Sequence, residues 1–205
     1  MRPVSCFLWR PFLLTTFSRS WLLVLFLFST SFSFSQTTNI SGIINTYHSV
    51  LGVDATKNAL RLDNVSGLAY GNTVLIIQMK GATINTTATS SFFGDVTALN
   101  YAGNYEIAII CSVSNDSVYF FNTIKNNYDV NFKVQLVKFG EYYSANVTDT
   151  VKAQSWNNAT GKGGVLAIQV EEDLTLNAPL FADSTGFKGG NFYLHTTAFC
   201  IPGAT

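Results

Sequence analysis

Residues 161–190, GKGGVLAIQVEEDLTLNAPLFADSTGFKGG, set three short apolar runs between glycine clusters. The β-branched run at 165–170 has the length of a strand. Leu174-Thr-Leu176 and Leu180-Phe-Ala182 follow it, after breaks at Glu171-Glu172-Asp173 and Asn177-Ala178-Pro179. Short strands separated by sharp corners predict a coil of parallel β-helix.

Upstream, strands joined by polar turns recur. Ala59-Leu-Arg-Leu62 alternates, Gly71-Asn72 signals a turn, and residues 73–79 form a dense run suited to a buried strand. Residues 105–113 and 117–121 flank Ser114-Asn115-Asp116 as the clearest hairpin of the chain. Phe132, Val134 and Leu136 alternate with polar neighbours until a shift at Val137, which a one-residue bulge would explain. Residues 36–45 are polar without a clear period, and 141–147 and 150–153 are weaker strands. The expected fold is therefore all-β: a small antiparallel β-sandwich or barrel of about six to eight strands, followed by the first coil of a parallel β-helix. The division reads 1–35 leader, 36–153 antiparallel β domain and 154–205 start of the β-helical segment, with a turn-rich hinge at 156–164.

The leader is a signal-peptide layout. Arg2, Arg10 and Arg19 precede an apolar core at 21–28, no acidic residue occurs before Asp54, and small residues at Ser33 and Ser35 place cleavage between Ser35 and Gln36. The apolar core, about eight residues, is far short of the roughly 20 that span a bilayer as a helix. The expected location is secreted or cell-surface, with no membrane span after cleavage. The 170 residues beyond the leader carry nine basic and twelve acidic side chains, a formal charge of −3, which argues against a nucleic-acid surface. Cys6 leaves with the leader. Cys111, in an apolar run, reads as a buried thiol, and a Cys111–Cys200 disulfide is the alternative in an oxidising compartment.

Val74-Leu-Ile-Ile-Gln-Met-Lys-Gly-Ala-Thr-Ile84, Ala102-Gly-Asn-Tyr-Glu106, Val134-Gln-Leu-Val137, Ala153-Gln-Ser-Trp-Asn157 and Gly163-Gly-Val-Leu-Ala-Ile168 occur in that order. In this they resemble the N-terminal region of large secreted surface proteins of Bacteroidetes, the gliding motility-associated C-terminal domain proteins. The resemblance covers most of residues 54–190. It implies that the GGVLA segment leads into repetitive β structure, and that export through the type IX secretion system is directed by a separate C-terminal domain. The chain ends at Thr205 before any such domain, so it reads as a fragment or as a shared module, and gliding is not inferred from it.

Chemistry is sparse. His48 and His195 have no second ligand at metal spacing, no G-x-S-x-G turn occurs, and Gly161, Gly163 and Gly164 beside Lys162 lack the order of a phosphate loop. Those glycines read as turn residues at positive φ. Glu171-Glu172-Asp173 is the one acidic cluster, but consecutive carboxylates on an extended run point apart, so a solvated corner outweighs calcium binding. No catalytic, cofactor-binding or metal site is assigned. Residues 81–100 read as a long loop carrying Phe92 and Phe93, a candidate ligand-contact pair whose alternative role is to anchor the loop on the core.

The leading expectation is thus a non-enzymatic, adhesin-like surface module in which the antiparallel domain caps a β-helical stalk. The alternative is a carbohydrate-binding module of a secreted protein. Its partners would be surface glycans or other cell-surface proteins.

Overall fold

A computed structural model describes residues 36–87 and 91–187. The leader with its Ser35–Gln36 cleavage site, and also His195 and Cys200, are not wholly among them: only Gln36 is described. In chain order the strands are β1 (Thr37–Gly42), β2 (Thr46–Asp54), β3 (Ala59–Leu62), β4 (Thr73–Gln78), β5 (Thr83–Ile84), β6 (Val96–Ala98) and β7 (Tyr105–Ser114). Then come β8 (Ser117–Phe120), β9 (Val134–Lys138), β10 (Gly140–Tyr142), β11 (Ser144–Lys152), β12 (Ile168–Val170), β13 (Leu174–Leu176) and β14 (Leu180–Phe181).

Six of these strands close a barrel in the order β2-β3-β8-β7-β4-β9, with every pair antiparallel. Period-two alternation builds its interior. Val74 and Ile76 of β4, Ala108 and Ile110 of β7, Val118 and Phe120 of β8, and Val134 and Leu136 of β9 all point into one apolar cluster. Gln78 continues the inward face of β4 and is fully buried. Its amide N–H groups reach the carbonyls of Lys80 and Asn100 at 2.8 and 2.7 Å, and its carbonyl accepts from Asp129 N–H at 2.8 Å, so the polar side chain closes one end of the barrel. The expected hairpin is β7–β8, turning at Asn115, whose φ of 53° is a conformation that asparagine tolerates.

The remaining strands form a parallel stack. β1, β11 and β13 lie side by side in register, so that Asn39, Asn146 and Thr175 share one row, and β14 pairs with the second half of β11. β10 pairs in parallel with β12. Inside the stack Ile40, Ala145, Val147 and Val151 are buried, with Ile44, Tyr142, Leu166, Ile168 and Val170 packed against them. A ladder of side-chain amides ties successive layers: Asn177 donates to Asn146 at 2.7 Å and Asn146 to Asn39 at 3.1 Å.

The chain is all-β, with an antiparallel barrel and a parallel β coil, as the pattern predicts. The connection differs in three respects. The stack begins at Thr37, because β1, which reads as polar and aperiodic, contributes the single inward side chain Ile40 and is a strand by virtue of pairing with β11. The barrel is spliced between the first and second layers of the stack. A division at residue 153 therefore keeps β1 with β11 but separates β11 from its partners β13 and β14. Finally, β9 contains no bulge. Its pairing with β2 and with β4 runs without a register shift, and Val137 is buried on the outward face because the stack covers it.

Tyr47, Val137, Leu75 and Ile107 lie in one outward row across β2, β9, β4 and β7. The stack covers the first three, whereas Ile107 is 57% exposed. Replacing Val137 by Ala should therefore cost roughly 1–3 kcal/mol, as in a core, while Ile107→Ala should stay within about 0.5 kcal/mol. Urea unfolding of the two variants checks this, and equal costs would contradict the covered row.

Candidate functional site: the junction of barrel and stack

The connection from β11 to β12 returns across the barrel, and barrel side chains hold it at every second residue. Gln135 meets Gly163 with two bonds of 2.9 Å, its amide donating to the carbonyl and its carbonyl accepting from the N–H. Tyr47 donates its hydroxyl to the Val165 carbonyl at 2.6 Å and accepts from Gln154 N–H at 3.2 Å. Asn45 donates to the Ala167 carbonyl at 2.5 Å and to that of Lys138 at 2.9 Å, and accepts from Ala167 N–H at 3.0 Å. Residues 163, 165 and 167 are thus bonded as a neighbouring strand would bond them, but by side chains. Strand β12 accordingly starts at Ile168, three residues later than the apolar run suggests. Burial raises the Tyr47 pKa, against the opposing effect of Gln154 N–H, so the phenol keeps the proton that it donates.

Residues 156–164 act as a strap fastened to the barrel, where the sequence suggests a hinge. Lys162 pairs with Asp63 at 2.6 Å, Ser49 donates to the Thr160 carbonyl at 2.6 Å, Lys133 donates to that of Ala159 at 3.2 Å, and Lys80 bonds Asn158. Burial pushes the Asp63 carboxyl upward, but Lys162 and the N–H groups of Ser49 and Asn64 outweigh it and hold the pKa below its ordinary value. Gly163 sits at φ 105°, and a Cβ there would lie 2.5 Å from the Ser155 carbonyl oxygen, so glycine is required for this approach. The positive-φ role expected for Gly161, Gly163 and Gly164 is what the strap uses.

His48 shares an inward row with Leu136 and Ile76 and is 3% exposed. Neither ring nitrogen makes a hydrogen bond of normal geometry among the described residues, although Asn64 lies beside the ring. Burial depresses its pKa, with Lys162 adding to the effect and Asn64 and the Asp63 carboxylate opposing it. The Glu171-Glu172-Asp173 corner bends between β12 and β13, where Glu172 accepts from the Tyr143 hydroxyl at 3.3 Å. No group of three His, Cys, Asp or Glu able to hold a metal occurs among the described residues. Phe92 and Phe93 lie at the tip of the β5–β6 hairpin and are 64% and 60% exposed, so they do not anchor the loop in the core. Cys111 is buried as expected, yet it is disulfide-bonded and not a free thiol; the proposed partner, Cys200, lies outside the described residues. The side-chain ladder of Asn45, Tyr47 and Gln135 has no motif, since its partners are 28 to 122 residues away.

No family model and no curated protein matches the chain. Among solved structures it is similar to the Gp54 tailspike of Acinetobacter baumannii bacteriophage AP22, determined in complex with A. baumannii capsular saccharide. That match has 15% identity and a TM-score of 0.35 over 54% of this chain and 17% of the tailspike. The tailspike protein gp49 of Pseudomonas phage LKA1 matches at 14% identity and a TM-score of 0.31, over 66% of this chain and 20% of that one. The chain spans a fifth or less of the length of these tailspikes, and a likeness so distant assigns neither family nor activity.

Two outcomes follow from the junction. Gln135→Leu leaves the buried N–H and carbonyl of Gly163 without partners and should cost about 1–3 kcal/mol in urea unfolding; an unchanged midpoint would remove Gln135 from the junction. For His48, the folded state disfavours the imidazolium, so the unfolded chain binds the proton first. Stability is then full above the ordinary imidazole pKa of about 6.5 and declines as pH falls below it. Thermal midpoints at neutral and mildly acidic pH should show this loss in the wild type and less of it in His48→Phe.

Proposed function

We propose that this chain is the N-terminal part of an exported, non-enzymatic surface protein in which the six-stranded barrel caps a parallel β stack. The observation that carries the reading is the side-chain ladder: Asn45, Tyr47 and Gln135 satisfy backbone groups of residues 163–167 that would otherwise need another strand. A parallel stack whose first coil lacks such a cover exposes an apolar interior and unpaired strand edges to water. Ile44, in the link from β1 into β2, packs against the stack interior from the barrel side.

The other end of the stack is different. Among the described residues no strand pairs with the far side of β13 or β14. Leu174, Leu176 and Leu180, in register with the buried Ala145, Val147 and Val151, are 37–58% exposed. A further coil laid on this edge would cover them, which is the arrangement of a stalk that continues away from its cap. The arginine-rich leader with cleavage after Ser35 accounts for export in the same reading. No residue is assigned a catalytic role.

A charge placed in the seat separates this reading from a merely shared core. Val137→Lys should leave the barrel amides protected in hydrogen exchange while residues 154–181 lose protection, because the stack depends on the barrel and the barrel does not depend on the stack. Uniform loss, or none, would overturn the cap. N-terminal sequencing of the exported chain should begin at Gln36, and retention of the leader would overturn the export part.

A further inference from the structure

The stack turns a corner at the same point in three successive layers. The register jumps from Ile40 to Gly42 in β1 as it jumps from Val147 to Val151 in β11, and the third layer breaks between Leu176 and Leu180. Ser41, residues 148–150 and residues 177–179 are therefore stacked corners. A cleft of about 650 Å³ opens along them, lined by Ser41, Asp149, Thr150, Lys152, Pro179 and Phe181. This lies within the roughly 300–1,000 Å³ typical of small-molecule sites.

The lining is divided by chemistry. Phe181 and Pro179 supply an apolar wall, and the Phe181 ring is 42% exposed. Lys152 is the direct neighbour of Phe181 in register, on strands about 4.8 Å apart, so the two side chains leave the same face of the stack. Ser41 and Thr150 add hydroxyls. The Asp149 carboxylate accepts from Thr150 N–H at 2.6 Å through one oxygen, leaving acceptor capacity for a ligand hydroxyl. Lys152 has no ion-pair partner among the described residues.

A pyranose ring has the complementary surface, with an apolar C–H face for an aromatic wall and a rim of hydroxyls for short polar side chains. We propose that this cleft binds a pyranose unit of an extracellular polysaccharide, and that Lys152 gives it a preference for a uronic acid. A nucleic acid would require several cations, whereas Lys152 is the one cation of the lining. A purely apolar ligand would leave Asp149 and Lys152 desolvated without partners. The inference does not rest on the cap: it concerns the outer corner of the stack, away from residues 163–167.

The test is an NMR titration of the chain from Gln36 onward with a glucuronate oligosaccharide and with its neutral glucose counterpart. Amide shifts at millimolar sugar should concentrate at residues 41–42, 149–152 and 179–181, with the glucuronate ligand binding more tightly. Phe181→Ala should weaken both ligands about tenfold, the equivalent of about 1.4 kcal/mol. Lys152→Gln, whose side chain is exposed and makes no hydrogen bond or ion pair among the described residues, should bring the two affinities together without weakening the neutral sugar, and it keeps the test valid if the Phe181 variant does not fold. Absence of shifts with either sugar, shifts confined to the Phe92–Phe93 hairpin, or a Lys152→Gln protein that retains the preference would each overturn the proposal.

Discussion

Buried backbone groups must find hydrogen-bond partners, and at the centre of this protein three side chains supply them in place of a strand. Asn45, Tyr47 and Gln135 stand where the barrel meets the stack and bond residues 167, 165 and 163. A closed barrel has no free strand edge, so its ladder cannot continue directly into the parallel stack. Carboxamides, which both donate and accept, bridge the mismatch because one planar group presents the same pair of functions as a peptide unit. The rest of the architecture hangs on this seam: the strap at 156–164 is fastened on one side of it, and β10 and β12 begin on the other.

The splice explains why β9 carries apolar side chains on both faces. Val134 and Leu136 fill the barrel, while Gln135 and Val137 meet the stack. Strands that run between two packed layers are buried on both faces, so the break in alternation at Val137 marks double burial and no irregularity in pairing. Gly140, the first residue of β10, makes the transition. A Cβ at that position would come within 2.9 Å of Ile44 and 3.0 Å of Tyr142, the side chains that seal the stack interior.

Much of the fold was legible in the residues. Hydrophobic alternation with asparagine and glycine turns identifies every barrel strand except β2, together with the β7–β8 hairpin, and the short runs after residue 161 identify parallel coils. The junction was not legible, because its members are single polar residues in otherwise ordinary contexts. Gln135 interrupts an apolar strand, Asn45 sits in a polar link, and neither announces a partner far away in sequence. The exposed Phe92 and Phe93 pair could be located on a loop, but its exposure depends on how the β5–β6 hairpin projects.

The sequence by itself determined five of the six barrel strands, β3, β4, β7, β8 and β9, where the tight turns fall, and that a parallel coil is present, since these follow from local periodicity and backbone preference. Tertiary structure alone decided that β1 belongs to the stack, that the barrel interrupts the stack's first turn, and that a cleft runs across three stacked corners. Each of these depends on pairing between segments about a hundred residues apart for β1 and about thirty for the corners, as the registers of Thr37 with Ser144 and of Lys152 with Phe181 show. No local pattern encodes such a pairing, because its free energy is realised only when both segments are already in place.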